Sequence, residues 1–376
     1  MMADFTPIAE LTLKRYPTPP EHSPLQAWDA ADEYLLTHLA SLPTIEGNIW
    51  LFNDNFGALS CALQRYQPTH ISDSYISQQA TTLNLKRNAQ PIDSVTFLDC
   101  LAELKGNPTL VIIKIPKILA LLEWQLAQLS QQVTENTIII AAAKVTEIHA
   151  STLQLFEKWL GTTKTSLAKK KARLIFCRKD QLTQQTLEPL VSWPLDNTDY
   201  CIANYANVFS RNSLDIGARF FLANMPDNLN GHVADLGCGN GVLGLMALVH
   251  NPQINLLVSD ESFMAIASAH HNVQHNRPQD LERCEFRVDN CLSQQADNSL
   301  NAILCNPPFH QNNVITDHIA KQMFNDAKRC LTRGGELYIV GNRHLGYYQY
   351  LKKLFTNCEI IASNHKFVIL KSVKLK

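Results

Sequence analysis

The sequence predicts an α/β fold built from two tandem Rossmann-like domains, each a mostly parallel, doubly wound sheet. The first observation is that short apolar strands alternate with helical patterns from about Tyr205 to the C-terminus. The second is that the first half of the chain repeats the same order of elements. The third is that polar side chains follow several strands, at the edge where such sheets bind ligands.

In the second half, the apolar runs are short enough for strands and the longer periodic segments are typical of helices. Pro252 closes the first helix, and Gly334 with Gly335 stops the last one. The predicted strands are 233–236, 255–259, 284–288, 300–305 and 336–340, with a final pair at 358–362 and 367–373, and the predicted helices are 242–249, 263–273 and 319–331.

The first half predicts a diverged copy of these elements. A strand at 48–52, a turn at 53–57 and a helix from Ala58 resemble the segment around Gly241. Further on, 69–73 resembles 256–260, 109–116 resembles 302–307, and 138–140 resembles 337–339. The slow drift in spacing is typical of an internal duplication with small loop insertions.

The first copy has lost the residues that carry chemistry in the second. Only Gly57 remains of the three glycines in the corresponding turn, and Ile115-Pro116-Lys117 stands where Asn306-Pro307-Pro308 is expected. A side chain at each former glycine blocks the close approach of a ligand. We therefore expect a degenerate domain at 1–195, a proline-marked linker at 187–195, and a catalytic domain at 205–376.

Composition indicates the cellular compartment and the kinds of partner that this protein has. The 376 residues carry a net charge of -1, which places any polyanion contact on local patches. Ten cysteines without a Cys-x-x-Cys pair argue against structural zinc and suit a reducing compartment. With no apolar stretch of membrane-spanning length and no signal-peptide pattern at the N-terminus, we expect a cytoplasmic protein without membrane or metal partners.

One basic run has two interpretations. Lys164, 169–171 and Arg173 occur without intervening acids. They are either a solvated face or a patch that contacts phosphate.

A glycine-rich turn predicts a nucleoside cofactor site. Gly237, Gly239 and Gly241 follow a strand that ends at Asp235, and they open a helix. Glycine permits a tight turn with positive φ and no side chain in the way of a ligand. Such a turn alone also fits a dinucleotide, but the spacing and Asp235 favour S-adenosylmethionine.

Two carboxylates end the next strands. Asp260 is placed to accept hydrogen bonds from ribose hydroxyls, with a helix N-cap as the alternative. Asp289 is placed to accept from the adenine amino group, with a turn residue as the alternative.

Asn306-Pro307-Pro308-Phe309 predicts the catalytic site. An exocyclic amine on a planar ring is a poor nucleophile because its lone pair is delocalised. The side-chain oxygen of Asn306 and the carbonyl of Pro307 can accept hydrogen bonds from the two N–H groups of this amine, and Phe309 can stack on the ring. This pattern indicates methyl transfer to an exocyclic nitrogen by alignment, without a strong general base.

A further cluster, 209–211 with 214–219, precedes the first strand of this half. Asp215 looks like the start of a helix, and the segment is either a capping element or a lid whose Arg211 or Arg219 contacts phosphate.

These motifs resemble those of the ribosomal RNA guanine-N2 methyltransferases, over the whole chain. The resemblance is densest at 208–211, 214–221, 235–241, 306–311 and 335–345. It implies a degenerate first domain for RNA recognition, S-adenosylmethionine as donor and a guanine of 23S ribosomal RNA as target. It also implies donor-binding roles for Gly237, Gly239, Gly241, Asp260 and Asp289, and catalytic roles for Asn306, Pro307 and Phe309.

Several alternatives remain open from the residues. The same tetrapeptide pattern serves adenine-N6 and protein glutamine methylation, and a guanine of 16S ribosomal RNA is a further target. A non-catalytic RNA-binding scaffold is the alternative from another class of protein.

Overall fold

The computed structural model describes residues 5–19, 23–42, 46–181, 185–308 and 314–376, with only the backbone at 314–317. The chain divides into two compact units, Met1–Pro189 and Leu190–Lys376. The predicted linker at 187–195 therefore belongs mostly to the second unit, because strand β8 (Val191–Pro194) pairs with strand β9 (Cys201–Asn204). Among the described residues, no helix is long and apolar enough to cross a bilayer.

The first unit alternates strands with helices from its first sheet strand onward. Its strands are β1 Asn48–Phe52, β2 Thr69–Ile71, β3 Thr96–Leu98, β4 Pro108–Lys114, β5 Ile138–Lys144, β6 Thr163–Thr165 and β7 Ala172–Cys177. Its helices are α1 Ala30–Leu39, α2 Ala58–Ala62, α3 Tyr75–Arg87, α4 Leu119–Ser130 and α5 Ala150–Trp159.

The second unit repeats that series after the β8–β9 pair. Its main strands are β10 Gly231–Leu236, β11 Ile254–Asp260, β12 Cys284–Val288, β13 Leu300–Cys305, β14 Leu331–Asn342, β15 Glu359–Ser363 and β16 Phe367–Val373. Its helices are α6 Ile216–Leu222, α7 Val242–His250, α8 Phe263–Asn276, α9 Val314–Cys330 and α10 Tyr347–Phe355.

The two main sheets have the same strand order. The first runs β3-β2-β1-β4-β5-β7-β6 and the second β12-β11-β10-β13-β14-β16-β15. In each, the first five strands are parallel, the sixth (β7 or β16) runs antiparallel to both of its neighbours, and the edge strand (β6 or β15) runs in the direction of the first five. The predicted α/β class, with two doubly wound and mostly parallel sheets, is confirmed, and the shared order agrees with an internal duplication.

The sheet of the second unit separates two apolar cores. On one face, Leu304 and Val340 pack with residues of α6, α7 and α8, and we call this the α6 face. On the other, Cys305 and Ile339 pack with residues of α9 and α10, and we call this the α9 face. The alternation of side chains therefore assigns the regularly paired residues, 302–305 of β13 and 336–342 of β14, to one of the two faces.

The start of β14 differs from the sequence-based expectation. The chain enters β14 at Leu331, directly after α9, whereas the strand was expected only from residue 336. The pairing shifts from Leu300–Leu331 to Ala302–Glu336, so the extra residues of β14 bulge out of the sheet. Gly334 and Gly335 stop no helix but form this bulge, and Gly334 has a φ of +82° that favours glycine.

Candidate active site

The three glycines of the turn after β10 have separate tasks. All have positive φ: +69° at Gly237, +54° at Gly239 and +76° at Gly241. A Cβ on Gly241 would lie 2.6 Å from the Cβ of Ala269, so Gly241 lets α7 pack closely on α8. A Cβ on Gly237 would meet only the Cε of Met323, and one on Gly239 would meet nothing within 4 Å. Gly239 is thus the glycine that borders open space.

Asp260 is tied to this turn through both carboxylate oxygens. Its Oδ2 accepts from the Gly239 N–H at 2.9 Å, and its Oδ1 accepts from the Ser262 N–H at 3.0 Å. The N-cap of α8 is Ser262, so the alternative that Asp260 caps this helix is wrong. Burial raises the pKa of Asp260, against the lowering effect of these N–H donors. The N–H of Glu261 also donates to this carboxylate, which has about four acceptor sites, so a role in accepting ribose hydroxyls remains a prediction.

Asp235 is buried beneath the turn rather than facing open space. Its Oδ2 accepts from the Gly244 N–H at 2.8 Å, which fastens the first turn of α7 to the end of β10. Burial raises the pKa of Asp235 to about 7, although the Gly244 N–H opposes the shift. The structure therefore gives Asp235 a part in shaping the turn, and direct contact with a donor remains a prediction.

Asp289 is fully buried, and its own turn occupies both of its oxygens. Oδ1 accepts from the Ser293 hydroxyl, and Oδ2 accepts from the Gln294 N–H at 2.9 Å. These contacts are those of the turn residue that was the alternative interpretation. The adenine-binding role remains a prediction without a contact to support it.

Asn306 directly follows β13 and is held by one specific contact. Its Nδ2 donates to the Oδ2 of Asp215 at 3.3 Å. Because a carboxylate accepts but does not donate, this contact sets the orientation of the amide. The Oδ1 of Asn306 is buried, and no donor among the described residues reaches it. Pro307 is buried beside it, while Phe309 lies outside the described residues and its role stays a prediction.

Asp215 combines two tasks that the sequence did not connect. It is the N-cap of α6, as predicted, and its Oδ2 accepts from the Ala218 N–H at 2.8 Å. The same oxygen receives the amide of Asn306, 91 residues along the chain. Only the capping role has a local signal. Arg219 pairs with Asp196, so a phosphate contact by Arg219 remains a prediction.

A substitution separates these two tasks. We expect Asp215→Ser to keep the N-cap but to release Asn306, because a serine hydroxyl caps helices but is too short to reach the amide. Methyl transfer should then fall by about tenfold to a hundredfold, with the melting temperature and donor affinity nearly unchanged. Asp215→Asn is the control, since its amide oxygen can replace Oδ2 in both contacts and should retain most of the rate. Equal rates for the two variants would contradict a positioning role.

The first unit shows how the corresponding site was filled. Phe52 pairs with Ile113 as Leu236 pairs with Cys305, so Lys114 occupies the place of Asn306, and the expectation that Ile115 does so is wrong by one residue. The Nζ of Lys114 lies 2.8 Å from Asp29 and 2.6 Å from Asp32. Asp29 caps α1 as Asp215 caps α6. An ion pair, buried at Lys114 and Asp32 and more exposed at Asp29, thus stands where the second unit holds Asn306 against Asp215.

The donor side of the first unit is altered in the same way. Ile71 pairs with Phe52 as Ser259 pairs with Leu236, so Ser72, and not Asp73, stands at the place of Asp260. The Ser72 hydroxyl accepts from the Ser74 N–H at 3.1 Å, as Asp260 does from Ser262. The retained Gly57 serves packing, since a Cβ there would lie 2.7 Å from the Cα of Thr81.

A buried polar network occupies the interior beneath this altered turn. Ser60 Oγ lies 3.2 Å from His70 Nδ1 and donates to Asp54 Oδ2, while Ser77 Oγ lies 3.3 Å from His70 Nε2. His70 is fully buried, and this burial lowers its pKa to about 4. The network pairs His70 with two serine hydroxyls, which is a structural arrangement rather than a Ser-His-Asp triad.

The low pKa of His70 predicts acid sensitivity of the first unit. The folded state favours the neutral ring, so its stabilisation is complete above about pH 6.5 and is lost as the pH falls toward 4. We expect a loss on the order of 3 kcal/mol between pH 7 and pH 4. Urea unfolding followed by tryptophan fluorescence measures it, because four of the five tryptophans lie in this unit.

The control for this prediction is His70→Gln, which cannot titrate. Asp32, whose pKa is raised to about 6 mainly by burial, contributes a pH dependence of the opposite sign in both proteins. The difference between the two proteins therefore isolates His70. Parallel stability profiles of wild type and variant would contradict the prediction.

The basic run lies mainly on the β6–β7 hairpin. Lys170 pairs with Glu33, and Lys169 lies over the ring of Tyr34. Both contacts suit a solvated face, and contact with phosphate stays a prediction. Among the described residues, no group of three or more His, Cys, Asp or Glu side chains is arranged to hold a metal ion.

Comparison with known proteins agrees with this architecture. Residues 2–181 match the family model of the RLMG N-terminal domain, and residues 199–371 match that of the methyltransferase small domain. A T. thermophilus 16S rRNA N2 methyltransferase, solved in complex with AdoMet and guanosine, superposes with a TM-score of 0.75 at 18% identity. The match covers 92% of each chain and shows that the fold is shared.

Similar curated proteins extend over nearly the whole chain. Ribosomal RNA large subunit methyltransferase G of Erwinia tasmaniensis is 58% identical over 97% of both chains. The protein of the same name from Pectobacterium atrosepticum is 56% identical over 97% of this chain and 96% of its own. The Yersinia pestis protein is 55% identical over 97% and 92%, respectively.

The fold and the glycine turn place the second unit among the class I methyltransferases, and the first unit repeats the same sheet without the residues of the site. The chain belongs to the ribosomal RNA large subunit methyltransferase G family. This confirms the family resemblance expected from the sequence, including its extent over both halves.

Proposed function

We propose that the chain is a ribosomal RNA (guanine-N2)-methyltransferase that transfers the methyl group of S-adenosylmethionine to one guanine of 23S ribosomal RNA. The observation that carries the proposal is the buried Oδ1 of Asn306, which no described residue satisfies and which Asp215 orients from the other side of the amide. A buried acceptor without a donor costs free energy, so its presence beside the glycine turn indicates a ligand that donates N–H.

The residues of the turn fit the donor. A Cβ at Gly239 would occupy open space, and Asp260, which accepts from the Gly239 N–H, lies at the same turn as a further hydrogen-bond acceptor. We assign Gly237, Gly239, Gly241 and Asp260 to the donor site, with Gly241 and Asp235 acting through the shape of the turn. When bound there, S-adenosylmethionine supplies an electrophilic methyl group on a sulfonium.

The chain contributes alignment to the reaction. Asn306 Oδ1 and the carbonyl of Pro307 accept hydrogen bonds from the two N–H groups of the guanine amine. This restores tetrahedral character to the amine nitrogen and directs its lone pair at the methyl group. Phe309 stacks on the base. The proton leaves after transfer, when the methylated nitrogen is strongly acidic, so no strong base is needed. Burial raises the pKa of Cys238 and Cys305 well above the usual value, which disfavours the nucleophilic thiolate form of both.

We further propose that the first unit, with its former site filled by the Lys114 ion pair, recognises RNA or supports the second unit. It provides neither donor binding nor catalysis. The proposed setting is the cytoplasm, where ribosomal RNA is processed.

The experiment is transfer of labelled methyl groups to RNA from a strain lacking this protein. We expect label in 23S RNA, as N2-methylguanosine at a single position that nucleoside analysis and mapping identify. Label confined to 16S RNA, to adenine or to protein would replace the proposal by the corresponding alternative. Failure to bind donor at all would favour a scaffold.

A further inference from the structure

A second buried amide oxygen lies at the same edge of the sheet as Asn306. Asn342 is the last residue of β14, which is the direct neighbour of β13. Its Oδ1 is buried, and no hydrogen-bond donor in the described parts of the chain reaches it. The described residues of the second unit contain only two such buried amide oxygens, Asn306 and Asn342.

Both asparagines belong to the same face of the sheet. Ala302 and Leu304 of β13 pack into the α6 face, as do Tyr338 and Val340 of β14. Since side chains alternate along a strand, the next residues on that face are Asn306 and Asn342. Gly341 confirms the alternation, because a Cβ there would lie 2.8 Å from the ring of Tyr347, which belongs to the α9 face.

The two positions are also close along the strands. Cys305 pairs with Ile339, and parallel neighbours lie about 4.8 Å apart. Asn342 therefore extends about two residues beyond the level of Asn306, at the edge where α6 packs against β14 and presents Asp215. Two acceptors on adjacent strands, on one face and at one edge, match a ligand that offers adjacent donors.

We propose that Asn342 is a specificity-determining residue that accepts the N1–H of the target guanine. The Watson–Crick edge of guanine carries the N1–H donor directly beside the N2 amine, whereas N1 of adenine is an acceptor. An acceptor at Asn342 therefore favours guanine. When adenine enters, the Oδ1 of Asn342 and N1 of the base are both acceptors and cannot form a hydrogen bond. This inference rests on the proposed guanine-N2 transfer and adds to it a reason for the choice of base.

The size of the effect follows from the cost of unpaired polar groups. A site built to hydrogen-bond a substrate N–H rejects an analogue without it far more strongly than an apolar pocket does. Loss of this one contact should reduce kcat/KM for guanine by about tenfold to a hundredfold.

The test uses a short RNA that contains the mapped target, with either guanine or 2-aminopurine at that position. The analogue keeps the 2-amino group but lacks N1–H. We expect wild type to prefer guanine, Asn342→Ala to lose activity on guanine but not on 2-aminopurine, and Asn342→Asp to restore the preference, because a carboxylate oxygen can accept in place of the amide oxygen.

The outcomes separate this inference from the function on which it rests. If Asn342→Ala lowers transfer to both RNAs by the same factor, or if Asn342→Asp fails to restore the preference while remaining folded and binding donor normally, the specificity role is wrong although the activity stands. If wild type places no methyl group on N2 of guanine, the proposed function itself fails. Melting temperature and donor calorimetry on each variant exclude misfolding as the cause.

Discussion

Asn306→Ala is expected to lose methyl transfer by about a hundredfold to a thousandfold in kcat while binding S-adenosylmethionine as wild type does. The variant removes the oriented acceptor for the guanine amine, so the lone pair stays in the ring system. The donor turn is untouched, since the side chain of Asn306 donates to Asp215 and not to Asp260 or the glycine turn. Single-turnover kinetics and donor calorimetry measure the two quantities separately.

The stability of this variant supplies an independent check. Asn306→Ala removes both the unsatisfied Oδ1 and the hydrogen bond from Nδ2 to Asp215, and because these two losses act in opposite directions the free energy of unfolding should change by less than about 1 kcal/mol. Asn251 is a matched control, because it is a buried asparagine of the same unit whose amide contacts Leu229 and Pro226. Asn251→Ala should lose about 2 kcal/mol of stability with kcat retained. Equal loss of donor affinity and transfer in Asn306→Ala would contradict the role given to it.

Gly239→Val is expected to weaken donor binding by at least about a hundredfold. The side chain would enter the open space beside the turn, where a Cβ meets no atom of the protein within 4 Å. Steric exclusion of the donor should therefore appear in the Kd and in the KM for S-adenosylmethionine. Both are measured on the full chain by calorimetry and steady-state kinetics.

Backbone strain is the competing explanation, and a second glycine controls for it. Gly334 also has positive φ, +82°, and a Cβ there also meets nothing within 4 Å, but it lies in the bulge of β14. Gly334→Val should carry a similar strain cost of about 1–3 kcal/mol and leave donor affinity unchanged. If both variants weaken donor binding equally, strain rather than occlusion is responsible, and the assignment of Gly239 to the donor site is wrong.

Much of the fold follows from local pattern. The order of strands and helices, the glycine turn, the N-cap at Asp215 and the repeat of the first half all depend on short-range periodicity and turn chemistry, which a single sequence displays. The structure differs from the sequence-based expectation where short-range signals compete with strand pairing. Gly334 and Gly335 predict a helix stop, but the sheet uses them as a bulge, and the repeat is displaced by one residue at Ser72 and Lys114 because register depends on strand pairing.

The candidate site was predictable in place but not in detail. Strand ends of a doubly wound sheet meet at one edge, so the positions of Asp260, Asp289 and Asn306 follow from topology. The hydrogen-bond partners of these three side chains do not follow from topology. Both oxygens of Asp289 accept hydrogen bonds from its own turn, and Ser262 rather than Asp260 caps α8. These partners depend on loop geometry, which determines the N–H group nearest to each carboxylate.

The sequence by itself determined the class of protein: two Rossmann-like domains, one of which keeps only one of the three turn glycines, and a donor turn followed by Asn-Pro-Pro-Phe. Tertiary structure alone decided which groups act together. Asp215 reaches Asn306 across 91 residues, Lys114 closes the former site of the first unit, and Asn342 joins the face of Asn306. The physical reason is that residue types and local periodicity are written along the chain, whereas hydrogen-bond partners depend on strand register and on which helix covers each face.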